Sequence, residues 1–456
     1  MTGTIPPKPA ARQGRPSLWR LMRMFRADML SALPARLYHA WMAEFRTPFF
    51  RSYLCNDPAL VERVLKTCPA DFPKSLRIAE GLRPLLRNSV FVTNGAQWEH
   101  QRRIIDPAFE GGRLHQSLPA MRAAGANGVL RLHAKSGPEP IEIERETSHI
   151  AADVIFRTLF SIPIEDAAAM AVFQAFRTHQ RAMPIVNPAA LLALPRWLPR
   201  FHSRATRKSA RHIRHLIERL TTERAAAIRA GTAPDDLATK IMTFTDPVTG
   251  TGFDAAEMVD QVAIFFLAGH ETSASALAWA LYLLATHPDW QERVAAEARA
   301  VLAGPDPDLS RLSQLTASRA VFRETLRLYP PVPMFVRENR CPVRFRGRDI
   351  APGGQIVLSP WHLHRHDRIW DDPDAFDPAR WDSPNGRAAA RAAFIPFSAG
   401  PRVCPGAGFA MAEGPLLLSM ILRDFRLDPA PGRTPVPVAH LTVRARDGIW
   451  LRLTPR

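Results

Sequence analysis

The sequence predicts a mainly α-helical fold with small β-sheets. Apolar residues recur at three- and four-residue spacing over 54–67, 119–134, 148–160, 205–230, 290–302 and 315–328. Strand-like runs are short and confined to 343–345, 355–358 and the C-terminal stretches near 441–443 and 448–453. One helix candidate, beginning at Asp254, is far longer than the others.

A chain of 456 residues could hold two or three domains at about 150 residues each. No low-complexity linker or internal repeat divides it, however, and Pro and Gly are scattered throughout. A single domain over 1–456 is expected. At the N-terminus, Pro6, Pro7 and Pro9 come early, and Arg20, Arg23, Arg26 and Asp28 interrupt the one apolar stretch, which argues against a signal peptide. Residues 17–45 do not supply the roughly 20 apolar residues of a spanning helix. No transmembrane anchor and a cytoplasmic location are expected, with peripheral membrane contact left open by this amphipathic segment.

The net charge is +17, and the excess is almost all Arg, since Lys occurs only at 8, 66, 74, 135, 208 and 240. The arginines form no dense basic block and no short basic recognition helix stands out, so nucleic acid is not an expected partner. An acidic protein partner fits a diffuse positive field better. Cys55, Cys68, Cys341 and Cys404 lack the paired spacing of zinc ribbons or redox motifs.

The long helix is capped by Asp254 with Glu257 three residues on, and it runs to about Thr286 before Pro288. Its middle reads Phe265-Phe266-Leu267-Ala268-Gly269-His270-Glu271-Thr272-Ser273, a polar patch in a helix otherwise apolar nearly all round. His270, Glu271, Asp260 and Gln261 make a lipid environment costly, so a buried central helix is predicted. Ala268 and Thr272 share a face with acidic Glu271 adjacent, and Gly269 weakens the helix by about 1 kcal/mol, which suggests a local kink. His270-Glu271 begins like a zinc-protease motif, but position 274 is Ala rather than the second His. His362, His364 and His366 alternate and in a strand would share a face that could bind zinc, but no clear carboxylate or further ligand lies nearby; hydrogen-bonded histidines are favoured.

The most specific segment is Phe397-Ser398-Ala399-Gly400-Pro401-Arg402-Val403-Cys404-Pro405-Gly406, a Cys in a Gly-bounded, Pro-stiffened loop ahead of an apolar helix. Glycines let the backbone approach a flat cofactor, and a helix N-terminus favours a thiolate. Thiolate ligation of heme iron favours O–O cleavage. Two further pairs share helix faces: Glu324 with Arg327, and Trp98 with Arg102.

Residues 397–410 match at every fixed position, through Phe397, Gly400, Arg402, Cys404, Gly406 and Ala410, and so resemble the heme-binding loop of the cytochrome P450 family. The resemblance extends from about residue 56 to the C-terminus and is weak over 1–50. It implies a triangular helical fold enclosing heme b, with Cys404 as the axial iron ligand. It implies that Trp98, Arg102, Arg337 and Arg402 serve the propionates, with His100 a further candidate on the same helix as Trp98. It makes Glu324, Arg327 and Arg380 a structural network, and Ala268-Gly269-His270-Glu271-Thr272 the oxygen-activation segment, in which Glu271 and Thr272 relay protons. The activity implied is insertion of one atom of the co-substrate O₂ into an apolar molecule. Electrons would come from a separate ferredoxin or flavodoxin-type donor and its reductase, because no glycine-rich flavin or nicotinamide segment is present. Peroxygenase or isomerase chemistry and a heme sensor are the alternatives; the Glu271-Thr272 pair argues against both. Residues 90–92, 182–194, 265–266 and 332–335 would line the substrate pocket, and a monomer is expected.

Overall fold

The computed structural model describes all residues except 1–4, 13, 15–16, 47–49, 111–112, 183–201, 304–308 and 440. Helices dominate, and the expected long helix is present over Ala255–Ala285. The Asp254 carboxylate accepts the Glu257 N–H at 2.7 Å, and Glu257 accepts the Asp254 N–H at 3.1 Å, closing a capping box that satisfies two otherwise orphaned donors. At 1.5 Å per residue the helix is about 46 Å long. It packs against Ile143–Phe160, Arg204–Arg229, Thr316–Leu328 and Ala407–Asp424, and so forms the axis of the molecule.

The helix is assigned without a break through Gly269. A side chain at 269 would lie 2.4 Å from Ile155 Cδ1 on the neighbouring helix. The glycine thus lets the two helices approach.

A four-stranded sheet orders Met42–Arg46, Arg51–Cys55, Gln355–Leu358 and Phe335–Glu338. Arg51–Cys55 pairs in parallel with Gln355–Leu358, Tyr53 opposite Ile356, while both outer pairings are antiparallel. Pairing in parallel across so long a stretch of chain ties the N-terminal region to the segment that carries Arg337. Periodicity over 54–67 missed this, because its first residues finish a strand before the helical turns of 58–67 begin.

The three alternating histidines are not in a strand. His362 lies in the short helix Pro360–Leu363 and its Nδ1 is 2.8 Å from Ser359 Oγ. His364 Nε2 accepts the Ile395 N–H at 2.9 Å, and His366 stacks on Trp41. Among the described residues no group of three or more His, Cys, Asp or Glu is arranged to hold a metal ion, and no helix is long and apolar enough to cross a membrane.

Candidate heme-thiolate site

Cys404 sits between a tight turn and a helix. Its N–H donates to Phe397 O at 2.9 Å, and its carbonyl accepts from Ala407 at the start of Ala407–Asp424. Gly400 has φ +67°, and a Cβ there would fall 2.0 Å from Leu65 O, so only glycine permits this approach. At Gly406 a Cβ would meet nothing of the chain except Cys404 Sγ, at 3.9 Å. Its bareness leaves room beside the sulfur for a flat group.

The loop is positioned by buried charge. Glu324 pairs with Arg327 at 2.7 Å and with Arg380 at 3.1 Å, and Glu324 and Arg327 are wholly buried. Arg327 then donates to the carbonyls of His364, Pro373 and Ala375. His364 holds the Ile395 N–H, two residues before Phe397. Phe397 itself packs beside Ala276, Phe322 and Leu326. Glu324, Arg327 and Arg380 therefore form one network, as the resemblance implied.

Cys404 lies deep in the molecule, yet its surface is open, which marks a residue lining an interior space. The central helix shows the same feature. Between residues 264 and 285 every position is buried except Phe265, Ala268, Gly269, Thr272 and Ser273. Their spacing of three and four places them on one stripe. Ser273 Oγ donates to Glu413 at 2.7 Å, which ties this stripe to the helix that follows Cys404. Burial raises the Cys404 thiol pKa, while the Gly406 N–H and Arg102 pull it down. The helix N-terminus alone thus does not secure a thiolate; a coordinated iron would, since coordinating thiols are deprotonated outright.

Beside this space lies a cluster of cations. Trp98 is buried, with Arg402, Lys74 and Arg102 at 5.0, 5.6 and 5.9 Å from its ring centre. Lys74 also pairs through its backbone with Arg337. Among the described residues no carboxylate pairs with Lys74, Arg337 or Arg402, and Arg402 Nε is buried without a partner. Burial and the neighbouring arginines hold the Lys74 pKa well below its ordinary value. Burial, with Arg402 adding to it, lowers Arg337 to about 10. Such a cluster suits a ligand bearing two carboxylates, which charge-assisted hydrogen bonds would bind. With the open sulfur and the bare Gly406, this donor set fits heme.

The structure brings Cys404, Trp98, Arg102, Arg337 and Arg402 together, but not His100. His100 Nδ1 is 2.7 Å from Asp246, which also binds Arg103 at 2.7 Å, so this histidine anchors its helix, Gly95–Phe109, to a neighbouring turn. Lys74 was missed by the sequence reading, since no motif marks it. Glu413 was missed as well, although a lone acid in the apolar run of helix 407–424 was a visible signal.

Thr272 Oγ1 donates to Ala268 O at 2.5 Å, leaving its lone pairs free to accept. Glu271 is buried and engaged: Arg444 pairs with it, Thr442 donates to it at 2.9 Å and Gln180 at 3.1 Å. His270 turns away to Ser148 at 2.7 Å, and burial lowers its pKa to about 3. Of the expected pocket segments, 90–92 is held to the central helix by Gln261, which accepts the Val90 N–H at 2.9 Å. Residues 183–194 lie outside the described residues.

Comparison with known proteins agrees with this geometry. The family model described as Cytochrome P450 matches residues 39–450. Cyclooctat-9-en-7-ol 5-monooxygenase of Streptomyces melanosporofaciens is 33% identical over 95% of this chain and 91% of its own length. Cyclooctatin synthase of the same organism is 31% identical over 94% and 90%. Pentalenene oxygenase of Streptomyces avermitilis is 31% identical over 96% and 94%.

Proposed function

From the premise that this chain belongs to the cytochrome P450 family, an oxidoreductase family, we propose that it inserts one atom of O₂ into an apolar hydrocarbon of the terpene class, by hydroxylation or epoxidation. The observation that carries this reading is the open Cys404 sulfur, on a loop whose following helix is tied to the open stripe of the central helix through Ser273 and Glu413, with cations that no carboxylate pairs alongside. The substrate class is supported by what the relatives are named for and by the apolar end of the stripe at Phe265.

Cys404 would supply the thiolate that binds the iron of heme b, and Lys74, Trp98, Arg102, Arg337 and Arg402 would hold its propionates. When bound, the group supplies thiolate-supported O–O cleavage. The chain's own residues manage protons and water. Thr272 accepts and passes protons at Oγ1, next to the Ala268 surface. Glu271, fixed by Arg444, Thr442 and Gln180, stands one residue away as the acid of the pair. Electrons would come from a separate acidic ferredoxin or flavodoxin-type donor with its reductase. Support for this partner is the exposed Arg63 and Lys66 on the segment 63–67 that Gly400 abuts, close to Cys404.

The test is the absorption spectrum of the reduced protein with carbon monoxide, beside C404A. A strongly red-shifted Soret band that the variant loses is the expected result. A band typical of histidine ligation, or no heme, would overturn the proposal.

A further inference from the structure

Helix Ala167–Ala182 lies along the central helix, with Phe173 beside His270 at 5.4 Å, Phe176 beside Phe266 at 5.9 Å and Gln180 donating to Glu271 at 3.1 Å. His179 on this helix is 1% exposed. With Leu82, Leu85, Leu86, Thr206 and Leu267 it lines a cavity of about 10 Å³, room for one water-sized group. Leu267 directly precedes Ala268 on the open stripe, and Thr272 stands about 7.5 Å further along the helix axis. The walls are otherwise apolar, and the Thr206 hydroxyl is already bonded to Ser203 at 2.8 Å. An imidazole is therefore the polar feature of a pocket whose shape is set by leucines.

We propose that His179 Nε2 accepts the O–H of a hydroxyl already present on the substrate, so that the molecule oxidised is a terpene alcohol rather than a bare hydrocarbon. This deepens the function proposed above and rests on it. The tautomer is assigned from the hydrogen bonds. His179 Nδ1 lies 2.7 Å from Ser209 Oγ, and the Ser209 hydroxyl donates to the Ala205 and Thr206 carbonyls at 3.0 and 3.1 Å. With its one hydrogen engaged there, Ser209 accepts, so Nδ1 carries the ring proton and Nε2 is a bare acceptor. The bond to Ser209 is the only hydrogen bond of His179 among the described residues. Burial lowers the His179 pKa from 6.5 to about 4, which keeps the ring neutral and that acceptor open at neutral pH.

The acceptor discriminates by chemistry. A hydrocarbon filling the cavity leaves Nε2 dry and unpaired, and a ketone oxygen meets it lone pair to lone pair; both are penalised. A hydroxyl fits the small space and completes the bond. Because the cavity stands to one side of Thr272 along the same helix, holding the hydroxyl there also selects which carbon is presented to the open stripe. The reaction order follows. An alcohol of this class must come from an earlier hydroxylation, or from a ring closure that ends in capture of water, and this chain then adds a further oxygen.

The test uses the full heme-loaded chain beside H179L and H179Q, titrated through the ligand-induced shift of the Soret band. The probes are matched sets: menthol with menthone and p-menthane, and cedrol with cedrane. Wild type should bind an alcohol about tenfold or more tighter than its ketone or hydrocarbon counterpart. H179L should erase that preference, while H179Q, whose amide oxygen reaches the place of Nε2, should recover part of it. Both variants should keep the reduced carbon-monoxide band and the melting temperature of wild type. Hydrocarbons bound by wild type as tightly as the alcohols, or an alcohol preference undiminished in H179L, overturns the inference and leaves the function standing. A wild type that shows the thiolate band but binds no member of either set overturns the terpene substrate class and the inference with it. Absence of the thiolate band overturns the heme-thiolate reading itself.

Discussion

Two groups of charge flank Cys404, one buried and one partly buried, and they are built in opposite ways. Glu324, Arg327 and Arg380 are closed within the chain: two guanidinium groups share one carboxylate, and their remaining N–H groups end on backbone carbonyls. Lys74 and Arg402 sit beside Trp98, Arg337 pairs with Lys74 through the backbone, no carboxylate among the described residues pairs with any of the three, and the Arg402 Nε–H has no partner. The first group needs nothing from outside and fixes the loop. The second also donates to backbone carbonyls, Lys74 to Val90 and Thr93 and Arg402 to Pro69 and Phe72, but it has no counter-charge within the chain among the described residues. Arginines that look alike in sequence thus separate into those neutralised within the chain and those that, on the function proposed above, would hold the cofactor.

The contrast is broken most directly at Glu324. E324A leaves two arginines buried without a counter-charge and should cost about 3–5 kcal/mol of unfolding free energy, read by denaturant titration; an unchanged midpoint would mean that the network holds nothing. Removing a cation of the other group should act in the reverse sense. R402A or K74M should leave the heme-free protein as stable as before or slightly more so, because like charges are relieved. The same variants should weaken heme retention by about 1–3 kcal/mol per lost charge-assisted bond, measured as transfer of heme to an acceptor protein. Equal loss of stability and of heme would erase the distinction.

A smaller effect sharpens it through pH. His364, which joins Arg327 to the Cys404 loop, is buried and its pKa falls from 6.5 to about 3. A base whose folded pKa is depressed binds more protons when unfolded, so its contribution to stability is lost as pH falls from 6.5 towards 3. His270 and His362 behave alike, each also near 3. Glu144, raised from 4.5 to about 7, works oppositely, its contribution declining as pH rises through that window. H364Q should flatten the acid side of the stability profile by up to roughly 1.4 kcal/mol per pH unit; a slope identical to wild type would show that the imidazole is not the neutral acceptor described.

Much of this was legible in the chain. The Cys404 loop, the capping box at Asp254 and the trio of Glu324, Arg327 and Arg380 depend on local spacing, and local spacing is what sequence shows. Lys74 was invisible because its role arises from backbone pairing with Arg337 far along the chain. His100 was misplaced for a related reason. Two residues from Trp98 on a helix it faces another way, and only the fold puts Asp246 there. The grip on Glu271 likewise comes from Arg444 and Thr442, brought by the hairpin of Pro437–Ala439 and Val443–Ala445 to a helix whose sequence carries no sign of them.

Arg102 joins the cation cluster around Trp98 to the Cys404 loop. While one N–H binds Asp106, another reaches across to Val403 O at 2.7 Å, one peptide from the sulfur. The same side chain also stands beside Trp98. A heme held as proposed would therefore be gripped near its acidic end and near its iron through one residue, and R102A should weaken both grips together.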